Sequence, residues 1–310
     1  MLKLLITLLF LTGSLLQAVE NANLIPKTCN TLMGFDMNRI ASIPELKNFL
    51  NDKNNQELNE LRSLGLAPEN IKSLIIGMDT NKAAKDPKGF QSNPEVLIVA
   101  KMNSAVDTKS IISKAKEDNV AIKQENFAGY TISKMTKDGK NMTMTKLTDD
   151  ILLVGGTSMV KGAISLKTGK SKESVNKNSE LMGLIDSKKM IWIAGMVPEM
   201  PAPGPNDPLS NPTANAATQI KAFTLGGDYE KDLLIDANLI CKTVQAAAQI
   251  SAMAQLLVGM ASSSPEFPLA PGAIQLTTDK DKIVFNIKLD KKSLDKIAEK
   301  AKQNLVPSGL

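Results

Sequence analysis

Histidine is missing from the 310-residue chain, which removes Ser-His-Asp and Cys-His catalysis and every imidazole-dependent metal site at once. Serines spaced from lysines remain: Ser113/Lys116, Ser174/Lys177 and Ser293/Lys296. A serine beside a desolvated lysine is the reactive pair of penicillin-binding and β-lactamase-type enzymes, which also carry a Ser-Asp-Asn element. No such triplet occurs, and lysine is frequent enough that the spacing arises by chance. Ser293 reads better as a helix cap, and Ser113 as one residue among solvent-facing lysines. Gly169-Lys170-Ser171 has the ending of a phosphate-binding loop, but the glycine required five positions earlier is Ile164. Gly169 instead suits the left-handed position that ends a helix.

Carboxylates gather at Asp149-Asp150, at Asp228/Glu230/Asp232 and at Asp279/Asp281. Such groups serve as a glycosidase acid and base or as oxygen ligands for calcium. Each falls at an expected turn between strands, where aspartate is favoured by its local hydrogen bonds, and none has the glycine and distal glutamate of an EF-hand loop. The residues therefore nominate no catalytic, cofactor or metal site. Cys29 and Cys241 pair as one disulfide if the chain reaches an oxidising compartment, or pack as two buried thiols if it does not; the disulfide is the expectation taken forward.

Export is what the N-terminus indicates. Lys3 precedes an apolar run from Leu4 to Leu16, and Ala18 suits the last position before a signal-peptidase cut. The run is shorter than the ~20 residues a membrane-crossing helix needs. A signal peptide at 1–18, a periplasmic or extracellular mature chain and no transmembrane span in it are the expectations. The 37 basic and 32 acidic residues leave a net charge of +5, yet only Arg39 and Arg62 are arginine and eleven residues are aromatic. Bidentate phosphate contacts and base stacking are thus undersupplied, and the lysines alternate with acids as on a solvated face, so nucleic acid is not an expected partner.

These residues need elements to carry them. Apolar alternation predicts strands at 31–36, 71–79, 95–102, 121–125, 130–135, 142–146 and 151–154, with the Asp138-Gly139 turn joining two of them. Asp107, Thr157 and Asn178 or Ser179 are expected helix caps, and a helix through Pro44, Leu46, Phe49, Leu50, Leu61 and Leu64 follows the first strand. From Met190 the order starts again. Residues 71–79 align with 220–228, 96–102 with 233–239, and 150–154 with 282–285. The expected fold is α+β: two related units of antiparallel or mixed sheet with helices on one face, at 19–187 and 188–310, the second with a proline-rich loop at 198–212. Residues 243–261 form an uncharged helix, placed in the core with a face for an apolar ligand, partner helix or lipid as the alternative.

Two phrases resemble a group of exported bacterial proteins that open with Leu-Pro-Ala-Asp-Thr ahead of an apolar strand. Here the opening is Leu24-Ile-Pro26-Lys-Thr28, and the second phrase runs Asp149-Asp150-Ile-Leu-Leu-Val-Gly155, then Gly169-Lys170, then Asn178-Ser-Glu-Leu181. The resemblance implies an envelope location and a duplicated α+β fold, and no reaction. The expected role is a non-catalytic binding or structural protein with an envelope protein or apolar ligand as partner. A secreted hydrolase using Asp149, Asp150 or Ser174 and a lipid carrier are the alternatives.

Overall fold

The computed structural model describes residues 19–44, 47, 62, 67–85, 95–137, 139–198, 218–263, 270 and 272–295. The strands are β1 (Thr31–Asp36), β2 (Ile71–Met78), β3 (Val96–Met102), β4 (Ala121–Phe127), β5 (Tyr130–Lys137), β6 (Lys140–Thr148), β7 (Ile151–Gly155), β8 (Ile191–Met196), β9 (Ile220–Tyr229), β10 (Leu233–Cys241), β11 (Ile274–Asp279) and β12 (Lys282–Leu289). They form one twelve-stranded sheet in the order β11-β12-β10-β9-β8-β1-β2-β3-β7-β6-β5-β4, and every registered pair is antiparallel. The helices are α1 (Met37–Ser42), α2 (Thr80–Lys85), α3 (Thr108–Glu117), α4 (Thr157–Lys167), α5 (Ser179–Met182) and α6 (Val244–Ser263). The fold is α+β and dominated by its sheet.

The middle of the sheet is the pair β1/β8, with Thr31 opposite Gly195 and Phe35 opposite Ile191. Moving outward from it, one side reads β1-β2-β3-β7-β6 and the other β8-β9-β10-β12-β11. On each side the third strand thus pairs with the last strand of the half. The hairpin β4–β5 extends the first side only.

Successive residues of a strand face opposite sides of a sheet, and β7 shows what each side carries. Leu153 belongs to the cluster with Leu32, Val99, Val160, Ala163, Ile164, Leu181 and Trp192, which seats α4 and α5. Leu152 belongs to the cluster with Ala100, Ile111 and Met144, which seats α3. Helices therefore cover both faces, not one, because strands of this composition are apolar on both sides and each side needs a cover.

The helix ends differ from expectation in instructive ways. Asp107 caps α3, accepting from the N–H groups of Lys109 and Ser110, and Asn178 caps α5 through Leu181 N–H. Thr157, however, is the first residue of α4, and the cap is Gly156, which has no side chain to offer. The Thr157 hydroxyl pairs with that of Thr143 at 2.7 Å, while Ser158 donates to Glu95 Oε2 at 2.7 Å, so a buried carboxylate stands at the helix start in place of a cap. Ser293 is likewise not a cap: its N–H donates to Asp290 Oδ1 at 2.8 Å. The helix expected after β1 lies largely outside the described residues, as does the proline-rich loop. Directly after β1, six-residue α1 starts from Asp36, whose carboxylate accepts Arg39 N–H.

Cys29 and Cys241 are both free, which corrects the disulfide. Cys29 lies just before β1 and packs in the α4 cluster; Cys241 ends β10 in the α6 cluster with Ala246, Ala247 and Ile283. β1 and β10 are three strand spacings apart in the sheet. At ~4.8 Å per spacing that is ~14 Å, twice what a disulfide spans between Cα atoms.

Candidate ligand cleft

Beside the β1/β8 pair, on the face that α4 covers, the sheet leaves a cleft of about 320 Å³. Gly34, Ile75 and Trp192 line it from below, Val19 and Glu20 from the side, and the turn at 187–189 from the entrance to β8. Trp192 is the only tryptophan in the chain and is 6% exposed. It lies flat because its partner across the strand pair is glycine: a Cβ on residue 34 would collide with Cε2, Cζ2 and Nε1 of the indole. That side of the ring carries the N–H, which makes no hydrogen bond among the described residues and keeps its access to the cleft. Beyond the ring a second, smaller cleft of about 230 Å³ runs over Thr224, Gly226 and Asn238.

A charge network fixes the entrance. Arg39 donates from Nη1 to the Lys188 carbonyl at 2.9 Å and from Nη2 to Asp228 Oδ1 at 2.8 Å. Asp228 Oδ1 also accepts Met190 N–H at 3.0 Å, its Oδ2 lies 3.3 Å from Lys189 Nζ, and Lys189 donates to Asp236 Oδ2 at 2.7 Å. These contacts tie α1 to β9 and β10 across the centre of the sheet. Burial pushes the Asp228 carboxyl up, but the Met190 N–H, Arg39 and Lys189 outweigh it and hold the group below its usual range. The hydrogen bond to Asp236 holds the Lys189 ammonium above its usual range, against the opposing effect of burial.

Of the other cations at the cleft, Lys72 acts at longer range on Asp150, and Lys188 has no such partner among the described residues. The ammonium groups of Lys72 and Lys188 are exposed and make no hydrogen bond or ion pair among the described residues, and the side chains of Asn38, Ser73 and Ser187 make no hydrogen bond there either. The two carboxylates present are occupied: Glu20 pairs with Lys101, and Asp36 accepts the Arg39 N–H at 3.1 Å. Unused donors thus outnumber unused acceptors.

The residues singled out in the sequence do not converge on this cleft, apart from Asp228. Asp149 pairs with Lys146 at 3.0 Å, and Asp150 accepts from Thr148 at 2.8 Å, which holds its carboxyl low despite burial. Asp232 pairs with Lys288 at 3.0 Å, while Asp279 and Asp281 flank Lys280 in the β11–β12 turn. No three acidic or thiol side chains among the described residues approach closely enough to hold a metal ion. Lys177 binds Glu173 at 2.6 Å and not Ser174, and Ser113 is exposed on α3; Lys296 lies outside the described residues. The sequence also contains a Lys-Thr-Gly triplet, residues 167–169, but it is the turn that ends α4, with Gly169 at φ +72°. The nearest approach to a reactive set is one the sequence did not signal. Glu95 accepts from Ser158 and pairs with Lys82, but a lysine held as a cation by a carboxylate is no base for that serine.

The cleft itself was missed because its residues are ordinary singly: lysines, two serines, a glycine and the lone tryptophan. The one available signal was a unique tryptophan in a strand that otherwise runs Met-Ile-Ile-Ala-Gly.

Helix α6 corrects a further expectation. Ala246, Ala247 and Ser251 are buried against the sheet, but Leu256 is 71%, Leu257 65% and Met260 71% exposed. The helix lies on the surface, without a charged residue on its outward side. No helix among the described residues is long and apolar enough to cross a membrane.

No family model and no curated protein matches the chain. A solved structure described as crystal form I of TP0453 superposes with a TM-score of 0.50, covering 92% of this chain and 98% of that one at 6% identity. That likeness is one of fold alone.

Proposed function

We propose that this is an exported, non-catalytic binding protein built from two related α+β units, with the cleft at their junction as its binding site. The observation that carries the reading is the Trp192 N–H, which opens into the cleft with no hydrogen-bond acceptor among the described residues, beside the Lys188 ammonium and the hydroxyls of Ser73 and Ser187. The matching strand order on either side of β1/β8 and the aligned sequence segments support duplication. The apolar run ahead of Ala18 and the resemblance to exported envelope proteins support export.

The test is to isolate the protein from the envelope fraction, measure its N-terminal mass and examine it by native mass spectrometry. A chain starting at Val19 that carries a co-purifying small molecule is the expected result. An intact Met1 in the cytosol, or turnover of an ester, glycoside or peptide that Ser158→Ala or Glu95→Gln abolishes, overturns the reading. A second reading, an apolar protein or lipid partner, rests on the outward side of α6 with Leu256, Leu257 and Met260. Polar replacement of those three residues that leaves the fold intact but abolishes envelope association is its expected signature.

A further inference from the structure

We infer that the cleft takes a small organic oxyanion, a carboxylate or phosphate on an apolar body, with Trp192 N–H and the ammonium groups of Lys72 and Lys188 as the recognising donors. The inference rests on the cleft being the binding site and adds the class of ligand.

Three observations converge on that chemistry. The first is the sign of the charged groups. The cleft is lined by four cations, Arg39, Lys72, Lys188 and Lys189, against two carboxylates, of which Glu20 is already paired with Lys101. A cationic ligand would meet this excess of positive charge, which Asp150 offsets only at Lys72, whereas an anion neutralises it. The second is the indole donor. Trp192 is more than nine-tenths buried, its N–H edge lies over Gly34 in the cleft, and an indole can donate only, so the ligand atom that reaches it is an acceptor. The hydroxyls of Ser73 and Ser187 add donors beside it. The third is shape. About 320 Å³ exceeds what a bare oxyanion fills and sits at the lower end of small-molecule sites, and Ile75 with the indole provides an apolar surface for the remainder. Arg39 is a positioning residue in this arrangement: its guanidinium holds the Lys188 carbonyl and so sets the turn from which the Lys188 ammonium extends.

The lone tryptophan makes the test direct, since fluorescence excited at its absorption edge reports only this site. The full mature chain is titrated with benzoate, phenyl phosphate, the uncharged benzamide and inorganic phosphate. Saturable change with benzoate or phenyl phosphate, at least about tenfold tighter than with benzamide or inorganic phosphate, is the expected result, tenfold being ~1.4 kcal/mol; which of the two binds tighter identifies the head group. Lys72→Ala and Lys188→Ala should each weaken it several-fold, with circular dichroism unchanged. Trp192→Phe, followed by calorimetry, keeps an aromatic ring without the donor and should weaken binding about tenfold. Benzamide binding as tightly as benzoate overturns the oxyanion class while leaving the cleft as a binding site. No response to any of the four probes in a folded protein overturns the inference, and the co-purification experiment then judges the broader reading alone.

Discussion

Single residues set the reactivity of this chain by being shut away. Burial, with the charges of Asp79 and Glu95 adding to it, pushes the Cys29 thiol up to about 12, and burial raises that of Cys241 as well. Neither is a nucleophile near neutrality. Thiol reagent at pH 8 should label neither cysteine in the native protein and both after unfolding, with no mass change on prior reduction. A single labelled thiol in native protein would contradict this placement. Gly34 is a second residue whose value lies in what it lacks. Alanine there forces the Trp192 ring off the sheet, and overpacking of this kind costs about 1–3 kcal/mol. A lowered denaturant midpoint together with a red-shifted tryptophan emission is the expected outcome of Gly34→Ala.

At the scale of elements, the chain reads most clearly where periodicity and turn chemistry agree. Gly139, between β5 and β6, takes the φ of +73° that a tight turn there needs, Asp138 lying outside the described residues, and Asp107 and Asn178 cap the helices assigned to them. Local patterns fail where a tertiary partner substitutes for a local one. Thr157 has the right chemistry for a cap, yet Gly156 holds that position and Glu95, about 60 residues away, supplies the acceptor for Ser158 at the helix start; Ser293 loses its place to a nearer competitor, Asp290, three residues before it. Glu95→Ala should therefore destabilise α4 by about 1–3 kcal/mol, measured by urea unfolding, since it strips the acceptor from Ser158 and the counter-charge from Lys82. The hairpin β4–β5 is fastened to α4 through Glu125, which Lys161 and Lys134 hold down at about 2. A depressed carboxylate contributes its stability above the unfolded value, near 4.5, and loses it as the pH falls through the folded one. Protection of the β4 and β5 amides, taken relative to their intrinsic exchange rates at each pH, should fall between pH 4.5 and 2, and Glu125→Gln should remove that fall.

For the whole molecule, the α+β class was legible, because alternating apolar residues need no knowledge of contacts. The meeting of the two sides in one sheet was not legible, since edge-to-edge pairing of β1 with β8 is decided by backbone groups that every residue possesses. The cleft follows from that meeting and was equally hidden. The network of Arg39, Asp228 and Lys189 spans the same line, and Asp228, being depressed, supports it above pH 3.8 and releases it as the pH falls through its folded value. Asp228→Asn should lower stability by about 1–3 kcal/mol at pH 7, and by progressively less as the pH falls below 3.8, by thermal unfolding across a pH series. The placing of β1 has a last consequence, for biosynthesis. Its second neighbour, β8, is made some 160 residues later, so a growing chain must carry Thr31–Phe35 with one flank of bare amide and carbonyl groups until residue 196 has emerged. A nascent or truncated chain ending before Lys188 should stick to its own kind along that flank, and such an incomplete chain is where a holdase chaperone would be needed.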